Sequence, residues 1–204
     1  MRRILSYALV AAGAILLFQG SRLLLEWRLG QSQAAGEFED NSQAPDNGRP
    51  LKPLPGDAIA KLSIPRLSAE LYVIEGDDAS ELRRGPGHMS GTAMPGDPGN
   101  CVIAGHRDTH FRVLKDIRRG DEIILQTRWG QFLYQVSSLS VVSPKDTRAL
   151  QPTSDSELHL ITCYPFYYVG AAPERFVVRA QLAGSVSADS DQVHGTVGAR
   201  AAGG

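Results

Sequence analysis

The sequence has no surplus of either charge and almost no cysteine. Its 21 Lys and Arg stand against 22 Asp and Glu, for a net charge of -1 over 204 residues. The basic excess that a nucleic-acid partner requires is missing, so none is expected. Also absent are a glycine-rich phosphate loop, a zinc-finger spacing and an acidic calcium loop, and neither a cofactor nor a metal is expected. With two cysteines, Cys101 and Cys163, at most one disulfide can form within the chain. That bond would consume any thiol needed for chemistry. A catalytic reading therefore requires Cys101 to be a small buried hydrophobe in its Val- and Ile-rich segment.

The first residues, Met1-Arg2-Arg3, precede an apolar run over residues 4–18 that resumes at Leu23-Leu24-Leu25. About 17 to 20 such residues suffice for a helix to cross a bilayer, and the arginine pair favours a cytoplasmic N-terminus. A cleaved secretory signal would share these features. Phe18-Gln19-Gly20 puts a bulky ring where a cleavage site needs a small residue, so residues 1–29 are expected to be an uncleaved membrane anchor. Residues 30–56 are rich in Gln, Ser, Ala, Gly, acidic residues and Pro, and are expected to be a linker. A folded catalytic domain over 57–184 and a disordered tail over 185–204 complete the expected organisation.

Within the folded part, Ala58–Ile64 alternates as a half-buried strand should, and residues 67–74 supply its hairpin partner. Residues 77–84 carry acids first and bases last, as a short helix does. Further strands are expected over 100–105, 122–127, 131–136, 139–142, 158–163 and 175–180, with a short helix over 111–119. Many short strands and little helix make the fold class all-β, a closed or nearly closed β-barrel with short helices, preceded by the anchor.

Three residues stand where strands end. Cys163 closes Leu158-His159-Leu160-Ile161-Thr162-Cys163 just before Pro165, which stops strand pairing and leaves the thiol at a rim. His106 follows Cys101-Val102-Ile103-Ala104-Gly105. Arg175 opens Arg175-Phe176-Val177-Val178-Arg179-Ala180. A thiol becomes a useful nucleophile when a neighbouring cation lowers its pKa from about 8.5, and His106 is the candidate cation or base. Arg179 shares a strand face with Arg175 and rivals it. Asp108 is a candidate to orient His106, or else a turn residue bonding its own backbone. His110, four residues past His106, could mimic a metal pair, but Arg107-Asp108-Thr109 reads as a turn, which argues against one. His159 shares a face with Cys163 but lies about 13 Å away along the strand, too far to be its base.

These segments resemble the sortases, membrane-anchored cysteine transpeptidases of bacterial surfaces, and are most similar to class D. The family's Thr-Leu-x-Thr-Cys appears as His159-Leu160-Ile161-Thr162-Cys163, with the first Thr replaced. The basic residue a dozen positions later matches Arg175, and the histidine after a hydrophobic strand matches His106. Gly85-Pro86-Gly87-His88 followed by Thr92-Ala93-Met94-Pro95-Gly96 resembles the loop before the histidine strand, over a similarity spanning roughly residues 58–183. The resemblance implies a sortase-like barrel with Cys163, His106 and Arg175 as catalytic residues. It further implies a protein substrate bearing a C-terminal sorting signal of Leu-Pro-x-Thr-x type, an amine acceptor at the cell envelope, and a domain outside the cytoplasmic membrane. His88, in a Gly-rich loop that could line the groove, and Thr162 are candidate substrate-binding residues. Two alternatives remain: a catalytically inactive surface-binding module on the same barrel, and a peptidoglycan L,D-transpeptidase. The latter's Ser-His-Gly-Cys motif is absent, since Ile161 stands where its histidine would be.

Overall fold

Alternation of apolar and polar residues shapes most of the strands in the computed structural model, which describes residues 2–43, 52–168 and 170–187. The strands β1 (Ala58–Ile64) and β2 (Ala69–Glu75) form an antiparallel hairpin around a turn at Pro65–Leu67. A short helix, α2 (Ala79–Arg84), leads to the two-residue strand β3 (Gly87–His88), which pairs parallel to β2. The remaining strands are β4 (Gly99–Gly105), β5 (Glu122–Thr127), β6 (Gly130–Val142), β7 (Ser156–Tyr164) and β8 (Glu174–Ser187). They close into a barrel in the order β1-β2-β3-β4-β7-β8-β6-β5, with β5 returning to β1. Closure leaves the sheet without a free edge.

The barrel is filled by the inward residues of each strand. Leu62, Ile64, Ile103, Leu125, Tyr134, Leu158, Leu160 and Val178 are among those buried in one cluster. Residues 131–136 and 139–142 are parts of one strand: β6 runs unbroken along β8, and a register shift between Val136 and Ser138 absorbs the polar serines that read as a break. The stretch expected as a short helix is a 3-10 turn at His110–Asp116, capped below by buried Phe111 and Leu114.

The N-terminal segment departs most from expectation. A helix, α1 (Arg2–Gln43), runs through the first half of what reads as a linker. Its inner face carries Trp27, Gly30, Gln31, Ala34 and Phe38, spaced three or four residues apart as one face of a helix requires. Ala34 and Phe38 are buried with Ala58 and Ile74 in a second cluster, and Tyr72 packs on it. The Gln31 side chain accepts from Tyr72 N at 2.8 Å and donates to Tyr72 O at 3.1 Å and Arg84 O at 2.9 Å, as a strand's backbone would. A side chain at Gly30 would meet Arg84 Cα at 2.8 Å, so only glycine lets the two helices approach this closely. Residues 44–51 of the expected linker and 188–204 of the expected tail lie outside the described residues, while Ser185 to Ser187 extend β8. Among the described residues, no helix is long and apolar enough to cross a membrane.

Candidate active site

Register brings the three candidate residues into one row. In the parallel pair β4 and β7, Gly105 stands beside Thr162, so the next residues, His106 and Cys163, are neighbours at the ends of their strands. In the antiparallel pair β7 and β8, Cys163 lies directly opposite Arg175. Adjacent strands are spaced about 4.8 Å apart, so the backbone positions of His106 and Arg175 flank that of Cys163 on either side. All three sit on the barrel's outer face, because Leu158, Leu160 and Thr162 take the inner positions of β7 and leave the odd-numbered residues facing out. Cys163 is partly exposed and His106 exposed, as groups that meet a substrate must be.

The rivals separate cleanly. Arg179 lies one strand turn further along, opposite His159, and its guanidinium is committed to the buried carboxylate of Glu157 through two hydrogen bonds. Among the described residues, Arg175 donates to backbone carbonyls of its own loop, Glu174 O at 2.9 Å and Ala172 O at 3.3 Å. Asp108 does not orient His106; its carboxylate lies 3.5 Å from Arg107 Nε. Cys101 and Cys163 are both free. Cys101 pairs with Leu158, five residues back along β7 and on the inner face, a separation of about 16 Å that no disulfide spans.

Two candidate substrate contacts are corrected. His88 is 1% exposed and faces the interior rather than a groove. Its Nδ1 bonds Glu75 Oε2 at 2.6 Å and its Nε2 lies 3.0 Å from Ala93 O. Burial works against its charge, but contacts with Cys101 and Glu75 outweigh that and push its pKa up to about 10. Glu75 is likewise opposed by burial, yet the hydrogen bonds from His88 and Ser90 hold it below the usual carboxylate range. The result is a buried ion pair that ties β3 to β2. Thr162 is also buried, and its hydroxyl donates to Gly105 O at 2.7 Å. It fastens β7 to β4 behind the site and has no face toward a substrate.

Other residues at the site carried no signal of their own in the sequence. Arg107, beside His106, is 7% exposed. Its guanidinium donates to Pro165 O at 3.1 Å, Tyr168 O at 2.9 Å and Gly170 O at 3.1 Å, tying the loop between β7 and β8 to the histidine turn. From Cys163 the outer face continues past Ile161 to His159, where the loop over 143–155 folds back across the strands. His159 Nδ1 donates to Ala149 O at 2.7 Å. A groove of about 350 Å³ opens there, lined by Ser140, Val142, Arg148, His159, Val177 and Arg179. An extended chain of about four residues would reach from the sulfur to this groove.

Comparison with known proteins bears on this arrangement. A family model described as Sortase domain matches residues 62–183. Sortase D of Bacillus subtilis (strain 168) is 32% identical over 192 residues, covering 87% of this chain and 97% of that protein. Among solved structures, a Clostridium perfringens Sortase D5 transpeptidase superposes with a TM-score of 0.64 at 28% identity, covering 78% of this chain and 99% of that one. The catalytic domain of a Bacillus anthracis SrtD superposes with a TM-score of 0.58 at 29% identity, covering 71% and 99%.

Proposed function

The chain belongs to the sortase family of cysteine transpeptidases, and from that premise we propose that it cleaves a C-terminal sorting signal of Leu-Pro-x-Thr-x type and transfers the acyl group to an amine at the cell envelope. The observation that carries this reading is the row His106, Cys163, Arg175 across three neighbouring strands.

In this reaction the Cys163 thiolate attacks the scissile carbonyl carbon, forming a C–S bond and a tetrahedral oxyanion. Arg175 donates N–H hydrogen bonds to that oxygen or to the substrate backbone. His106 gives its proton to the departing amine as the C–N bond breaks, leaving a thioester on Cys163. An incoming amine attacks the thioester, His106 takes a proton from it, and the thiolate leaves. Water in place of the amine gives hydrolysis. The groove beside His159 receives the substrate residues upstream of the scissile bond.

We further place the domain on the outer side of a bacterial cytoplasmic membrane, anchored by the apolar run 4–18 within the N-terminal segment 1–29. Supporting this are Arg2-Arg3 ahead of the apolar run and the outward exposure of Leu9, Val10, Ile15, Leu16, Leu17 and Phe18. Incubating the protein with Leu-Pro-x-Thr-x peptides and small amines, and weighing the products, tests the reaction. A peptide–amine conjugate that forms with the native chain and not with Cys163→Ala is expected. Absence of both conjugate and hydrolysed peptide across the set would refute it.

A further inference from the structure

The docked helix α1 reaches the turn that carries His106. Glu26 and Trp27 share a cavity of about 70 Å³ with Leu82, Arg83, His106 and Thr109. The indole N–H of Trp27 donates to Nδ1 of His110 over 2.6 Å, with the ring centroids 6.0 Å apart. Indole nitrogen is a donor only, so Nδ1 of His110 must present its lone pair. That ring is therefore neutral, with its proton on Nε2. Burial first, and then the nearby charge of His106, hold the pKa of His110 down at about 4, against backbone hydrogen bonds at Leu82 and Arg83. The titratable groups lining the adjoining cavity are Glu26 from α1, Arg83 from α2 and His106 from the same turn as His110.

Two imidazoles on one turn compete for protonation, because a charge on either disfavours a charge on the other. We propose that Trp27 is a positioning residue of the active site: carried in by α1, its indole N–H keeps His110 neutral and leaves His106 as the imidazole free to hold the proton beside Cys163. The helix is then a working wall of the catalytic centre as well as a connection to the N-terminus. This inference rests on the reading of Cys163 and His106 as the reacting pair.

The test uses the full-length chain in detergent micelles. Trp27→Phe keeps a ring and deletes the donor. By NMR, the His110 ring should then titrate with a midpoint raised above about 4, while burial and the charge of His106 still hold it below the ordinary value of about 6.5. Alkylation of Cys163 by iodoacetamide at about pH 5 should fall in step with the fraction of His110 rings that carry a charge, by up to about fourfold for a midpoint near 5.5. In Trp27→Phe/His110→Gln, where position 110 can take no charge, the rate should return to within about twofold of the native chain. An unmoved His110 midpoint in Trp27→Phe, or a rate that stays low in the double variant as lost packing would leave it, overturns the proposal. Alkylation needs no sorting signal, so a failure to transfer peptides would count against the reaction proposed above and not against this contact.

Discussion

Replacing Arg107 with alanine removes three hydrogen bonds from a side chain that is 7% exposed, to the carbonyls of Pro165, Tyr168 and Gly170. Each bond to a charged donor is worth about 1.5–3 kcal/mol. Tyr168 and Gly170 are exposed, so their carbonyls recover water once the guanidinium is gone. The net cost is therefore nearer the value of one bond than of three, about 2 kcal/mol, which lowers the melting temperature of a domain this size by about 8 °C. The loop released is the one that joins Cys163 to Arg175, and Arg107 is the neighbour of His106. Loosening it costs alignment on both sides of the sulfur, and kcat/KM for peptide transfer should fall tenfold to about a hundredfold, mostly in kcat. Arg107→Lys should recover less than half of either loss, because one ammonium cannot span three carbonyls arranged for a planar fork. Differential scanning calorimetry and a peptide-transfer assay measure the two quantities. An Arg107→Ala chain melting within about 2 °C of native and turning over within about twofold would refute the clamp.

The buried His88–Glu75 pair makes stability depend on pH. The pKa of His88 is raised from 6.5 to about 10 on folding, so its contribution is complete below about pH 6.5 and is lost as pH climbs through 10. Glu75, held below its usual 4.5, contributes above that value and loses its effect in acid. His88→Asn should flatten the alkaline slope of unfolding free energy, about 1.4 kcal/mol per pH unit for one proton, and chemical denaturation between about pH 6 and 9 should show it; an unchanged slope would contradict the pair. Deleting residues 2–18 keeps Trp27 and the docked part of α1, and should release the chain from the membrane fraction after alkaline extraction; retention would refute the anchor.

Parts of this structure are legible in the sequence because neighbouring residues determine them. The alternation of Ala58–Ile64 and the run Glu122–Thr127 match β1 and β5 residue for residue. The adjacency of Cys163, His106 and Arg175 was legible because strand ends are marked by Pro165 and by the polar turn after Gly105. What stayed hidden depends on distant partners. His88 sits in a two-residue strand, too short for alternation to tell inside from outside, and Glu75 turned it inward. Arg107 reads as a turn residue until the loop beyond Pro165 folds over it. The docked stripe of α1 is built from a glycine, an amide and an alanine between Trp27 and Phe38, too little apolar surface to stand out from a Gln- and Ser-rich stretch. Ser137 and Ser138 looked like the end of a strand, and the partner β8 carried the pairing past them.

The central claim, that Cys163 is the nucleophile and acts with His106 and Arg175, is tested most directly by covalent trapping. A Leu-Pro-x-Thr peptide ending in a chloromethyl ketone should add one mass equivalent, located by peptide mapping at Cys163. Its rate should drop by about a hundredfold or more in His106→Ala and in Arg175→Ala, the range of a lost acid–base group or oxyanion donor. An adduct on Cys101, or equal trapping rates in all three chains, would contradict the account.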